Sequence, residues 1–252
     1  IENFDVSMEI RIKETKSETS ILAANHAAET IRSAIDERGS AGIILATGAS
    51  QIEMLGALTE SDVDWSRVTV FHLDEYIGLP ITHQASFRKF LKERFESKVD
   101  GLRAFHYIDG ENPDPGGECR NVGDKISSVQ IDLACVGIGE NGHLAFNDPP
   151  ADFDIDTPYI IVELDEACRR QQFGEGWFAT FDAVPKVAIS MSVRQIMKSR
   201  AIVCTVPDAR KAEAVKNTLD GEITPDVPAS ILRNHPNCHL FIDAAAASRL
   251  NH

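Results

Sequence analysis

The chain has 252 residues, 43% of them hydrophobic and 25% charged, a balance that suits a globular α/β protein with a sizeable core. Its net charge of −14 argues against nucleic acid and anionic membranes as partners, although a small anion held by backbone N–H groups and a few cations stays possible. No apolar run approaches the roughly 18 residues needed to span a bilayer, and the opening IENFDVSMEIRIKE lacks the basic-then-apolar order of a secretory leader.

In chain order, MEIRI (8–12) alternates as a short strand. Ile21, Ala24, Ala28, Ile31 and Ile35 recur at helical spacing through 19–37, and Gly39 ends the run. AGIILAT (41–47) reads as a buried strand, and Ser50-Gln-Ile-Glu53 as a capping box that opens a helix to about 59. RVTVFHL (67–73) predicts a strand, SFRKFLKERF (86–95) a helix and LRAFHYI (102–108) a strand. The composition of DGENPDPGGE (109–118) predicts a loop. Further strands are expected at 131–138, 159–164, 187–193, 201–207 and 238–243. Helices are expected near 166–172, 208–220 and 228–234, with AAAASRL last. Five cysteines, odd in number and without CxxC spacing, read as reduced and mostly buried thiols of a cytoplasmic protein; no zinc site is expected. Alternating β and α with near-continuous apolar strands predicts one domain over 1–252, a mostly parallel central sheet with helices on both faces.

In such sheets ligands bind beyond the carboxyl ends of the strands, and polar clusters fall there. Ala46-Thr47-Gly48-Ala49-Ser50 is a small-residue turn before a helix, suited to an anion, although Ser50 as a plain helix cap fits as well. His72-Leu73-Asp74-Glu75-Tyr76 places two carboxylates at a strand end, either a solvated pair or a general base aimed into a cleft. Gly137-Ile-Gly139-Glu-Asn-Gly142 matches a dinucleotide fingerprint by letter, but that fingerprint needs its third glycine at a helix start. Here HLAFNDPP follows, and Pro149-Pro150 forbids a helix soon after. The alternative is a turn that exposes His143 and brings Asp148 back to orient its imidazole as an acid/base group, against a structural histidine in a loop.

LATGAS (45–50), FHLDEYIGLP (71–80) and GIGENGHLAFNDP (137–149), with SFRKFL, RKAEAV and PAS, together resemble the glucosamine-6-phosphate deaminase (isomerase) family from about residue 8 to 244. The resemblance implies a modified Rossmann-like fold and no redox cofactor; no metal is expected, because the enolamine nitrogen can carry charge. The resemblance also implies conversion of an amino-sugar phosphate to fructose 6-phosphate and ammonia by a monomer or small homo-oligomer. It makes Asp74 the base that moves a proton between C2 and C1, and His143 the group that opens the pyranose ring. Thr47, Gly48 and Ser50 match the phosphate loop, Lys211 a phosphate-binding lysine and Arg170, with Arg169 beside it, a phosphate-binding arginine. Glu75 and Gly142, in the same motifs, are expected at the substrate.

The chain departs from the family pattern at Asn141, often Asp there, and at Asp148, usually Glu. Asn141 is expected to lower the imidazole pKa and to add only a neutral hydrogen bond. PPADFDIDTPYI lacks the cations of the allosteric members' activator site, and CRRQQFGEGWF (168–178) differs from the usual lid. Rivals are a galactosamine-6-phosphate deaminase, a 6-phosphogluconolactonase, against which DEYIGLP and LAFN speak, and a non-catalytic sugar-phosphate sensor.

Overall fold

A computed structural model describes residues 8–250. In chain order the elements are β1 (Glu9–Lys13), α1 (Lys16–Arg38), β2 (Ala41–Leu45), α2 (Ile52–Thr59), β3 (Val68–His72), β4 (Asp74–Tyr76), α3 (Phe87–Arg94), β5 (Ala104–His106) and α4 (Pro115–Ser127). They continue with β6 (Leu133–Val136), β7 (Tyr159–Glu163), α5 (Glu166–Gly174), β8 (Val187–Met191), α6 (Val193–Met197), β9 (Ala201–Val206), α7 (Ala212–Asp220) and β10 (Cys238–Asp243). Among the described residues no helix is long and apolar enough to cross a membrane.

Seven strands form a parallel sheet in the order β1-β10-β9-β6-β2-β3-β5. The apolar runs AGIIL, LACV and AIVCTV are buried at every position, as strands covered on both faces must be. Side chains alternate between the two cores. Ile43 and Leu45 pack with α1, α2 and α3 on one face, while Ile44 packs with α4, α6 and α7 on the other. Each fully buried Ile or Leu contributes about 1.5–3 kcal/mol relative to exposure. Helix α1 begins earlier than its apolar spacing suggests, because Thr15 and Glu18 form a reciprocal capping box; Gly39, at φ 78°, ends it.

Five expectations change. Strands β7 and β8 do not join the parallel sheet; with β4 they form a separate antiparallel sheet in the order β4-β8-β7. Tyr159 is buried, whereas Ile160 to Glu163 alternate partly buried and exposed, the pattern of a sheet open on one side. The expected loop at 109–118 turns into α4 from Pro115, with Asp114 as N-cap and Cys119, Val122, Gly123 and Ile126 buried at helical spacing. Ser50 caps nothing: residues 49–51 are a 3-10 turn, α2 starts at Ile52 without a side-chain cap, and the Ser50 hydroxyl accepts from Gln51 Nε2. AAAASRL is a run of turns, anchored where Asp243 Oδ1 accepts from Ala246 N, and 228–234 is a 3-10 helix.

The strands β9, β6, β2 and β3 are adjacent at the centre of the sheet. Their carboxyl ends lead into Pro207–Lys211, the GIGENG turn, Ala46–Ser50 and His72–Tyr76, so the topology gathers the sequence clusters in one place.

Candidate active site

These clusters line a small, half-open cavity of about 60 Å³. On one side lie Thr47, Gly48 and Ser50, with Gly48 at φ 103°, a left-handed conformation that turns the chain from β2 into the next helix. Lys211 is buried and lines the same side; its Nζ donates to Ile138 O at 2.9 Å. Burial lowers its pKa, against the opposing carboxylates of Glu175 and Glu140. Its loop is held by Asp208, a non-glycine residue at φ 94° whose N–H donates to the Asp243 carboxylate at 3.1 Å. Thus Thr47, Gly48, Ser50 and Lys211 come together. Arg170 does not join them: it is exposed, pairs with Glu166 and stacks on Phe181. Arg169 is buried but spent on the carbonyls of Val184 and Phe181.

The adjacent carboxylates of DEY separate because β4 is a strand, whose successive side chains face opposite ways. Asp74 reaches the cavity; it is buried, beside Leu73 and Phe87 in the wall. Desolvation, then the Glu75 charge, raises its pKa well above the usual carboxylate range. Glu75 is fully buried on the other side and, contrary to the expectation for it, does not line the cavity. It accepts from Ser86 Oγ at 2.9 Å, from the backbone of Phe87 and Arg88 at 3.2 and 2.9 Å, and from Arg88 Nε at 3.1 Å. It thereby fixes the start of α3, which explains why SFR follows DEY in the chain.

The GIGENG turn exists to seat His143. A Cβ on Gly139 would lie 2.1 Å from His143 Cε1 and 2.3 Å from both ring nitrogens, so only glycine fits beneath the imidazole. Gly142, at φ 84°, closes the turn by donating to Gly139 O at 2.9 Å; it does not line the cavity as the sequence suggested. His143 is buried, and desolvation first, then Lys211, pushes its pKa down to about 3. Its closest side-chain partner is Asn141, whose Oδ1 lies 2.6 Å from Nδ1. Asn141 Nδ2 in turn donates to Asp148 and Asp165 at 3.3 Å. With the amide so oriented, the ring proton sits on Nδ1 and Nε2 is left as the base.

Asp148 Oδ1 is 3.4 Å from Nδ1, and beside a neutral imidazole that contact is no ion pair. The amide therefore orients the ring directly and the carboxylate stands behind it, the reverse of the order read from sequence. Asp148 also accepts from Asp165 N at 2.9 Å, and burial raises its pKa. Cys168 joins this group: a donor atom from each of His143, Asp148 and Cys168 lies within 4.8 Å of the others. After His143, Ala145 takes φ 52° in the cavity wall, a strained conformation held by Asn147 Nδ2, which donates to Leu144 O and Met191 O at 2.8 Å.

The roof comes from α5 and the turn after it. Gln171, Gln172 and Glu175 line the cavity, and sequence reasoning assigned none of them. Tyr76 OH donates to Gln172 Oε1 at 3.1 Å, and Gln171 Oε1 accepts from Glu140 N at 2.8 Å. The signal was present as the stretch CRRQQFGEGWF, where adjacent glutamines on a short helix cannot be explained by an apolar face.

The family described as glucosamine-6-phosphate isomerases/6-phosphogluconolactonase matches residues 14–240. The chain belongs to this family. A glucosamine-6-phosphate deaminase of Exiguobacterium sp. is 38% identical over 205 residues, 81% of this chain and 79% of that protein. One of Lacticaseibacillus paracasei is 33% identical over 244 residues, 97% and 99%. The solved structure of a monomeric glucosamine-6-phosphate deaminase superposes with a TM-score of 0.86 at 31% identity, covering 96% of this chain and 99% of that one. The 6-phosphogluconolactonase of Trypanosoma brucei superposes at 0.79 with 17% identity, over 97% and 99%, a likeness of fold alone. The family resemblance read from the three sequence motifs is thus borne out.

Proposed function

We propose that the protein is a glucosamine-6-phosphate deaminase, converting the amino-sugar phosphate and water to fructose 6-phosphate and ammonia. The observation that carries this reading is Asp74 and His143 in one cavity: a desolvated carboxylate of raised pKa and an imidazole held neutral, beside a loop suited to an anion. The named deaminases at 33–38% identity support it.

The phosphate lies against Thr47–Ser50 and Lys211, and its binding energy positions the reacting end of the sugar. His143 Nε2 takes the proton from the anomeric hydroxyl and returns it to the ring oxygen, opening the pyranose to the aldehyde. Asp74 removes the proton from C2, and the aldehyde oxygen takes one from solvent, giving an enolamine; the solvent proton is returned when water adds at C2. Asp74 then delivers its proton to C1, leaving an iminium at C2. Water adds at C2, and the carbinolamine expels ammonia to leave the ketone. One carboxylate between the two carbons serves both transfers, and the lone pair of the amine nitrogen carries the charge. A monomer acting in a reducing compartment is the state we propose, on the likeness to the monomeric deaminase and the five unpaired cysteines.

The test is Asp74→Asn. It should lower kcat by several orders of magnitude while leaving substrate binding close to normal. Near-normal turnover would remove Asp74 from the chemistry.

A further inference from the structure

A carboxylate lies against the anion loop. Ala49 N donates to Glu175 Oε2 at 3.5 Å. A Cβ on Gly48 would sit 3.8 Å from the same oxygen. Trp177 Nε1 donates to this oxygen at 3.1 Å, and Gln171 Nε2 donates to the other at 3.1 Å. Glu175 is also the carboxylate that most offsets the charge of buried Lys211. The roof that carries it leaves a cavity of about 60 Å³, whereas sites for small molecules occupy roughly 300 Å³ or more. A sugar phosphate entering this cleft meets Glu175 at the loop. A phosphate dianion and this carboxylate cannot share the loop, because like charges a few ångströms apart repel strongly where water is scarce.

We propose that Glu175 is an internal competitor for the phosphate loop: in the free protein its carboxylate takes the phosphate position, and phosphate binding displaces it and lifts the roof. Glu175 then sets how tightly the site holds a phosphate, a role that rests on reading Thr47–Ser50 as the phosphate loop. The local chain is built for the exchange. Glu175 stands between Gly174, whose added Cβ would meet nothing within 4 Å, and Gly176, at φ 85°. Its anchors are three hydrogen bonds, one of them at the 3.5 Å limit.

The competition predicts an affinity loss equal to the inverse of the fraction of molecules with the loop free. For an open population of about 10% or less, removing the carboxylate tightens phosphate binding by about tenfold or more. Inorganic phosphate is the probe, titrated by calorimetry into the wild type and Glu175→Gln, so that no catalytic step enters the result. Independently of any variant, phosphate should change the fluorescence of wild-type Trp177, whose indole loses its partner, and Trp177→Phe should abolish that change. Tenfold tighter binding by Glu175→Gln together with the Trp177 signal supports the exchange. Equal or weaker binding by Glu175→Gln, or phosphate bound by the wild type with no Trp177 response, overturns it while leaving the phosphate loop in place. No phosphate binding by either protein at saturating concentration removes the loop assignment, and the competitor with it.

Discussion

Gly139→Ala adds one methyl group beneath the imidazole of His143. That methyl would lie 2.1 Å from Cε1, where ordinary contact begins at 3.4 Å, so the ring must retreat by about 1.3 Å. Gly139 is not among the glycines at positive φ, so its own backbone tolerates alanine and the clash falls on the ring. The retreat breaks the 2.6 Å contact between Nδ1 and Asn141 Oδ1 and moves Nε2 off the substrate's ring oxygen. A misplacement of about 1 Å costs on the order of 10²-fold in rate, and overpacking a tight site costs about 1–3 kcal/mol of stability. The variant should therefore lose at least ~100-fold in kcat/KM for glucosamine 6-phosphate. It should still bind inorganic phosphate like the wild type, since the three atoms nearest the added group all belong to His143. Ammonia release, calorimetry with phosphate and a thermal melt measure the three quantities. A kcat/KM within a few fold of wild type would show that His143 is not held by the glycine turn in its working position.

Lys211→Ala should raise KM more than it lowers kcat, by about 1.5–3 kcal/mol for a lost charge-assisted contact; comparable kcat/KM for unphosphorylated glucosamine would contradict the anion site. Asn141→Ala should slow turnover of the cyclic substrate about 10²–10⁴-fold, more than Asp148→Asn does, because the amide makes the closer contact with the ring nitrogen, 2.6 Å against 3.4 Å. Both losses should largely vanish with an open-chain substrate, and equal losses on the two substrates would place these residues in a later step. His143 also sets an acid dependence of stability. Its pKa is about 3 in the fold and about 6.5 unfolded, so the unfolded chain binds the extra proton and stability falls as pH drops below about 6.5. At pH 4.5 the wild type should have lost on the order of 2–3 kcal/mol that His143→Gln does not lose. The raised carboxyls Asp74 and Asp148 act with the opposite sign in both proteins, and a pH-independent difference in denaturant melts would refute a buried neutral His143.

The parallel sheet was legible because its strands are continuous apolar runs, and the site because its residues follow those runs directly. The three-stranded sheet was not legible. Tyr159–Glu163 and Val187–Met191 look like the other strands in isolation, and only their pairing with Asp74–Tyr76 sets them apart. Helix α4 was hidden by Pro115, Gly116 and Gly117, which read as loop residues although proline at a first turn and Asp114 before it also make a helix start. The two adjacent carboxylates were both expected at the site; strand alternation sends only Asp74 to the cavity, and Glu75 goes to α3. Arg170 was placed at the phosphate by the resemblance alone, and here its charge is spent on Glu166 at the surface. Glu175 escaped notice because an acid has no evident place in an anion site until Trp177, Gln171 and Ala49 are seen around it.

Whether this cavity performs aldose–ketose isomerisation with loss of the amino group can be settled with purified protein and three substrates. Glucosamine 6-phosphate, galactosamine 6-phosphate and 6-phosphogluconolactone are each supplied while ammonia and ketose phosphate are followed together. We expect ammonia and fructose 6-phosphate in equal amounts from glucosamine 6-phosphate, at the highest kcat/KM of the three. Hydrolysis of the lactone with no ammonia from either amino sugar would contradict the proposed reaction, and a preference for galactosamine 6-phosphate would contradict the proposed substrate.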